Sequence, residues 1–168
     1  MNKVGLGGSC HWCTEAIFQS LVGVVKVEQG FIAPKDDNDA FSEAIIVYYN
    51  PKEIELKDLI EIHLYTHKST SEHSMRDKYR SAVYGFDNKT MLATNTLLNL
   101  LQEDFDQQLI TKTVRFGAFK FSDNRFHDYY YSNPKKPFCE TYIAAKLQVL
   151  LNKFSKHLIL DKINSSHE

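Results

Sequence analysis

Cys10 and Cys13 are the residues of this sequence best suited to carry chemistry. They lie three positions apart in the stretch GSCHWCTE, with a histidine and a tryptophan among their neighbours. Two thiols at this spacing can form a redox pair, supply half of a metal site, or pack as small apolar side chains in a core. The element that carries the pair decides which of these it does.

The surrounding pattern predicts a strand, a tight turn and a helix that begins at Cys10. An apolar run from Lys3 to Gly7 predicts the strand, and apolar residues at helical spacing predict a helix from Cys10 to Val22. Unpaired backbone N–H groups and the helix dipole stabilise a thiolate at a helix start. Cys13 lies one turn further on the same face, within reach of a disulfide. An attacking and a resolving thiol fit this arrangement.

Two other dithiol chemistries stay open at this point. The chain contains enough ligands for a tetrahedral zinc site, namely Cys10, His11, Cys13, His127 and Cys139. A thioredoxin-like exchanger also uses C-x-x-C at a helix start, but it needs a strand with a cis-proline, and neither Pro34 nor Pro51 lies in a convincing strand. The zinc signal rests on a single closely spaced pair.

Composition narrows the function classes. The chain has 168 residues, of which 43% are hydrophobic and 24% are charged, so we expect a single globular domain spanning 1–168. A formal charge of −1 argues against binding to nucleic acid or to an anionic membrane surface. No stretch has the length and apolarity of a secretory signal or a membrane span, and three cysteines do not make a disulfide framework. We therefore expect a cytoplasmic protein.

The remaining pattern predicts an α+β fold. Strands are expected at 24–31, 44–49, 79–86 and 113–121, and helices at 56–64, from 87 or 88 to about 110, and at 141–157. The order mixes local antiparallel pairs with crossover connections. It favours a ferredoxin-like two-layer sandwich with an additional strand and a C-terminal helix.

Residues 5–31, GLGGSCHWCTEAIFQSLVGVVKVEQGF, resemble the N-terminal signature of the A-type peptide methionine sulfoxide reductases. That signature reads G-C-F-W-x-x-E, followed by an apolar helix, G-V and G-Y-x-G-G. The resemblance continues in order along the chain. FSEA stands for the family's H-A-E-V, YYNP for Y-D-P, HKST for H-D-P-T, YRSAVY for the core of Q-Y-R-S-x-I-Y, and FHDYYYSNPKKPFC for Y-H-Q-x-Y... Y-C.

The resemblance implies reduction of methionine-S-sulfoxide, free or peptide-bound, by thiol chemistry. Cys10 would attack the sulfoxide sulfur, and Glu43 would protonate its oxygen as an acid kept neutral by apolar or aromatic surroundings. Tyr79 would help to bind that oxygen, and Trp12 would form part of the pocket for the S-methyl group. Cys13 would convert the resulting sulfenic acid into a disulfide, which thioredoxin or a similar dithiol would reduce. The family needs no cofactor or metal.

Several positions depart from the family pattern around the site. Phe31 replaces a tyrosine that donates to the oxygen or orients the acid, and His11 replaces the phenylalanine of the signature. We expect both, with Trp12, to bind the substrate. The connections after Phe31 and before Tyr79 are short, and the family's supporting aspartate has no counterpart closer than Asp77. Cys139 matches a family cysteine that we interpret as structural, with resolution of the sulfenic acid as its minor alternative role. A weakly active or inactive relative that acts as a binding protein, or a C-x-x-C dithiol or zinc protein, is the alternative.

Overall fold

A computed structural model describes residues 1–37 and 39–166. The strands are β1 (Asn2–Gly7), β2 (Val24–Pro34), β3 (Ser42–Tyr49), β4 (Ala82–Gly85) and β5 (Lys112–Phe121). The helices are α1 (His11–Gln19), α2 (Leu56–Tyr65), α3 (Asn88–Leu101), α4 (Tyr129–Ser132), α5 (Ala144–Lys153) and α6 (Leu160–Ser166). A π-helical turn, Cys139–Ile143, leads directly into α5. Within these ranges, no helix combines the length and apolarity needed to cross a bilayer.

The five strands form a closed sheet in the order β1-β3-β2-β5-β4. β1 closes it by pairing antiparallel with both β3 and β4, while β4 and β5 form a parallel pair. The α+β class is confirmed. The closed pairing differs from the open sheet of the ferredoxin-like sandwich that we predicted, because local periodicity cannot show which strands meet at the two ends of a sheet.

Alternation along β3 separates two apolar clusters. Ala44 and Ile46 point into the small cluster inside the closed sheet, whereas Ile45 and Val47 belong to the large cluster between the sheet and the helices. Glu43 has the parity of Ile45, so its side chain lies on the helix-facing side. That parity directs Glu43 towards the helices.

Element boundaries differ from the sequence prediction where polar contacts intervene. α3 ends at Leu101 rather than near Ile110, and the Ile110 N–H donates instead to the Ser69 carbonyl at 2.8 Å. β4 begins at Ala82 rather than Tyr79, because the Tyr79 N–H is bound to a carbonyl of its own turn. The strand, turn and helix around Cys10 are confirmed.

Candidate active site

Cys10 is the N-cap of α1, directly after the turn formed by Gly8 and Ser9. Its carbonyl accepts the N–H groups of Cys13 and Thr14 at 3.0 and 3.2 Å, so helical bonding starts at this residue. Gly8 has a φ of 156°, and a Cβ there would lie 2.5 Å from the ring of His67. A glycine is therefore required for the turn that presents the partly buried Cys10 thiol.

The two thiols differ strongly in acidity. The Cys13 thiol donates a hydrogen bond to the Cys10 sulfur, and this contact is the main cause that lowers the pKa of Cys10. The backbone N–H groups of Trp12 and Cys13 act in the same direction, while burial and the Glu43 charge oppose them. The same hydrogen bond, together with burial, raises the pKa of Cys13. Of the two thiols, Cys10 is therefore the one that ionises more readily, and Cys13 is the one that holds its proton more tightly.

A pocket of about 470 Å³ opens onto the two cysteines. Tyr79, Phe138 and Tyr142 form its aromatic wall. Its size and largely apolar lining suit a thioether or sulfoxide side chain. Cys10 and Tyr79, which the sequence analysis placed in one site, thus share one pocket.

The carboxylate of Glu43, a residue of β3, lies next to the first residue of α1, His11. Its Oε1 accepts the His11 backbone N–H at 3.2 Å, and its Oε2 lies 3.7 Å from the Lys78 Nζ. The side chain is buried at 6% exposure. These surroundings are more polar than we predicted from the family resemblance. Glu43 is not part of the pocket wall described above, but its charge acts on the Cys10 thiol.

Backbone contacts hold Lys78 and Tyr79 beside Glu43. The Glu43 N–H donates to the Lys78 carbonyl at 3.0 Å, and the Ser42 hydroxyl donates to the same carbonyl at 2.9 Å. A hydrogen bond to Tyr79 is the main cause that raises the pKa of Lys78. The Tyr79 ring lines the pocket, and the Lys78 ammonium lies 5.2 Å from its centroid.

His11 and Phe31 both face Glu43. Phe31 is the register partner of Glu43 across β2 and β3, so the two side chains share one face of the sheet. The His11 ring contacts the Phe31 ring edge-on with centroids 5.1 Å apart. The His11 ring therefore faces Glu43 and is not part of the pocket wall, although we had predicted a role for it in the substrate pocket.

Trp12 packs in an aromatic cluster next to the pocket. It stacks on Tyr129 at 4.3 Å and on Phe126 at 5.1 Å, and it meets Phe138 edge-on at 5.3 Å. Phe138 belongs to both the cluster and the pocket wall. Trp12 thus supports the pocket through Phe138.

The family model for "Peptide methionine sulfoxide reductase" matches residues 2–158. The chain belongs to this family. The peptide methionine sulfoxide reductase MsrA of Campylobacter jejuni is 27% identical over 160 residues, covering 88% of this chain and 97% of that protein.

Two solved structures of Saccharomyces cerevisiae Mxr1 share the fold. The reduced form has a TM-score of 0.73 at 20% identity and covers 84% of this chain and 90% of its own. A complex with Trx2 has a TM-score of 0.61 at 19% identity and covers 75% of this chain and 84% of its own. At these identities the likeness concerns the fold of the reductase family.

Three further residues of this reductase-family site were not singled out from the sequence. Lys146 reaches the cysteine turn from α5, donates to the Ser9 hydroxyl at 3.2 Å and lines the pocket. Arg76 and Glu15 connect separate segments of the site. Only Glu15 had a signal in the sequence, because it occupies the glutamate position of the G-C-F-W-x-x-E signature.

Arg76 binds four backbone carbonyls with one guanidinium. It donates to the carbonyls of Gly8 and Tyr79 at 2.9 and 2.8 Å, and to those of Lys68 and Ser71 at 2.6 and 2.9 Å. The segment between α2 and β4 has no helix or strand of its own to hold it. Arg76 therefore fastens the pocket wall to the turn before Cys10.

Glu15 connects α1 to the segment that carries the aromatic cluster. Its carboxylate accepts the backbone N–H groups of Asp128 and Tyr129 at 3.1 and 3.2 Å and the Gln29 amide at 3.0 Å. Burial at 2% exposure outweighs these bonds and raises its pKa to about 7. Glu15 thus positions the ring of Tyr129 against Trp12.

Glu15 predicts a pH dependence of stability. A raised pKa means that the folded state binds more protons than the unfolded state between the ordinary value of 4.5 and about 7. Stability should therefore fall as pH rises through that window. Relative to Glu15→Gln, the free energy of unfolding of the wild type should fall by on the order of 3 kcal/mol between pH 4.5 and 7.5, as measured by urea denaturation. Parallel pH profiles for the two proteins would contradict this.

The residues that could have formed a zinc site do not come together as a set of ligands in the part of the chain that the structure describes. Across residues 1–37 and 39–166, no group of three or more His, Cys, Asp or Glu side chains is arranged to hold a metal ion. All three cysteines, Cys10, Cys13 and Cys139, are free thiols. The contact between Cys10 and Cys13 is a hydrogen bond between sulfurs, which suits redox chemistry.

Proposed function

We propose that this protein reduces the S-epimer of methionine sulfoxide to methionine, with Cys10 as the nucleophile. Family membership supports the reaction. The observation that carries the assignment is the cysteine pair at the start of α1, where Cys13 donates to Cys10 and lowers its pKa beside an apolar pocket. No cofactor is required, because both electrons come from thiols.

The first step is attack of the Cys10 thiolate on the sulfoxide sulfur. One proton from Glu43 goes to the sulfoxide oxygen, the S–O bond to the substrate breaks, and Cys10 becomes a sulfenic acid as methionine leaves. The cysteine sulfur is oxidised by two electrons and the substrate sulfur is reduced by two. Tyr79 is the second donor to the oxygen, because its ring lies in the pocket with Cys10.

The second step is formation of a disulfide by Cys13. Cys13 lies in the first turn of α1, one turn from the N-cap Cys10, so attack of Cys13 on the sulfenic acid releases water with little movement of α1. Cys139 is buried, lies at the π-helical turn before α5, and keeps a structural role. We assign resolution to Cys13.

Renewal of the thiols requires an external dithiol, for which we propose thioredoxin or a similar carrier. Cys10 is the more exposed of the pair, so its sulfur is the accessible end of the disulfide. The complex of yeast Mxr1 with Trx2 supports this choice of donor. Three free cysteines fit a reducing compartment, and we propose that the chain works as one domain, residues 1–168, in the cytoplasm.

The pocket walls suggest how the substrate is held. Phe138 and Tyr142 flank the space in front of Cys10, and Trp12 supports Phe138 from behind. We propose that this aromatic surface packs against the S-methyl group. We propose that Phe31 and His11 contact the bound substrate from the side of Glu43.

The proposal is tested by assaying the purified protein with each epimer of methionine sulfoxide and dithiothreitol as reductant. Turnover of the S-epimer and none of the R-epimer is the expected result. Substrates in which methionine sulfoxide is free or blocked at both ends measure the preference for peptides. Absence of turnover with every S-epimer substrate would overturn the proposal and leave a binding role.

A further inference from the structure

We propose that His11 and Glu43 share one proton and act as a pair that supplies it to the sulfoxide oxygen. His11 acts through Glu43 and is therefore a positioning residue. The inference rests on the proposed function and extends it to the residue where the signature of the family has phenylalanine.

The orientation of the His11 ring is fixed by the Gly30 carbonyl. Nδ1 lies 2.7 Å from that oxygen, and both groups are buried. A carbonyl oxygen only accepts hydrogen bonds, so Nδ1 carries a proton. The other ring nitrogen, Nε2, then lies 3.4 Å from Oε1 of Glu43.

One proton between the two groups satisfies this geometry. Without this proton, the lone pair of a neutral Nε2 would face a carboxylate oxygen. His11 and Glu43 are only 5% and 6% exposed, so solvent does not separate the two atoms. With one proton, either His11 or Glu43 donates to the other.

Three charged or titratable groups surround the pair. Lys78 approaches the opposite carboxylate oxygen, Oε2, and its side chain is 58% exposed, so water screens its effect. His11 also senses His127, from the segment after β5, and Glu43 senses Cys10. The pKa of His11 is lowered overall, mainly by burial and further by Lys78 and His127, while the Gly30 carbonyl and Glu43 act in the opposite direction.

The pair fits the chemistry that this site must perform. The proton passes from the pair to the sulfoxide oxygen as Cys10 attacks, which leaves Glu43 ionised and His11 neutral. Water returns the proton after methionine leaves. The hydroxyl that a tyrosine would place next to Glu43 is missing at Phe31, and His11 occupies the space against its ring. His11 thereby offsets a missing donor.

The experiment compares the pH dependence of kcat/KM for the S-epimer in His11→Phe and His11→Gln with that of the wild type. Phenylalanine is the residue of the family signature at this position, and glutamine keeps a polar group that cannot exchange a proton near neutral pH. Glu43→Gln serves as the reference that removes the acid. The matched control is His157→Phe, which removes a similar histidine–carboxylate pair, 3.6 Å from Asp58, on another part of the surface.

Loss of the shared proton should move the alkaline limit of kcat/KM to lower pH in both His11 variants. We expect a loss of about 10-fold or more at pH 8 and a much smaller loss at pH 6, with Glu43→Gln slower by about 10²-fold at both pH values. Alkylation of Cys10 by iodoacetamide needs only the thiolate, which Glu43 affects only through its charge, so the pH profile of alkylation should shift much less than that of turnover. His157→Phe should match the wild type in both assays.

Two outcomes would overturn the pair. One is a pH profile of kcat/KM for His11→Phe that either lies below that of the wild type by the same factor at every pH or superimposes on it. The other is an alkylation profile that shifts as much as turnover, which would place the effect of His11 on the thiol. Because the wild type turns over in either case, these results reject the pair alone, whereas an inactive wild type rejects the proposed function.

Discussion

Replacing Cys10 with serine is expected to abolish turnover of methionine sulfoxide with any reductant. A serine hydroxyl stays protonated at neutral pH and cannot accept the sulfoxide oxygen in a two-electron exchange. The hydrogen bond from Cys13 and the N–H groups at the start of α1 stabilise a thiolate, and they have no such anion to act on in the variant. Turnover of the S-epimer with dithiothreitol should fall to background.

The fold should survive this change. Cys10 is an N-cap whose side chain makes no capping hydrogen bond, and serine is among the preferred residues at that position. We therefore expect Cys10→Ser to be as stable as the wild type, or more stable by up to about 1 kcal/mol, and to unfold at the same temperature or a higher one. Thermal unfolding measured beside the assay separates lost chemistry from lost structure. Cys139→Ser, at a buried thiol outside the pocket wall, should keep its turnover if it folds, and activity in Cys10→Ser would contradict the nucleophile assignment.

Replacing Cys13 should block renewal by thioredoxin while the first chemical step continues. With no adjacent thiol, the sulfenic acid on Cys10 persists, and thioredoxin has no disulfide to attack. Turnover with thioredoxin, thioredoxin reductase and NADPH should fall to background in both Cys13→Ser and Cys13→Ala. Dithiothreitol is small enough to reach Cys10 and should sustain measurable turnover. Mass spectrometry after one turnover should find a Cys10–Cys13 disulfide in the wild type and one added oxygen on Cys10 in the variants.

The two replacements at Cys13 separate its two roles. Serine keeps a hydroxyl that can donate to the Cys10 thiolate, whereas alanine removes the donor that is the main cause of its lowered pKa. Alkylation of Cys10 should therefore require a higher pH in Cys13→Ala than in Cys13→Ser. Full thioredoxin-driven turnover in Cys13→Ser would assign resolution to another thiol, and the double variant with Cys139→Ser would show whether Cys139 supplies it.

The sequence could predict what local patterns control. A glycine turn before a helix is a short-range signal, so the position of Cys10 at the start of α1 followed from the residues alone. The pairing with Cys13 followed from the spacing of a helical turn. The ordered family motifs then added Glu43 and Tyr79, which lie far from Cys10 in the chain and which spacing could not have connected to it.

Long-range contacts account for what the sequence could not predict. Closure of the sheet depends on β1 pairing with both β3 and β4, which no local period encodes. The direction of the His11 ring depends on the Gly30 carbonyl of another strand. Arg76 lies in a loop that does not match the family pattern, so its contacts had no motif to reveal them.

The four carbonyls held by Arg76 have a consequence for how this enzyme family member can change. Because one side chain anchors the pocket wall and the cysteine turn together, substrate access and nucleophile placement cannot vary independently in this chain. Within the loop, the Arg76 guanidinium also binds the carbonyls of Lys68 and Ser71. If this loop replaced that of a relative, we therefore expect it to keep its conformation only when Arg76 and the turn before Cys10 are transferred with it.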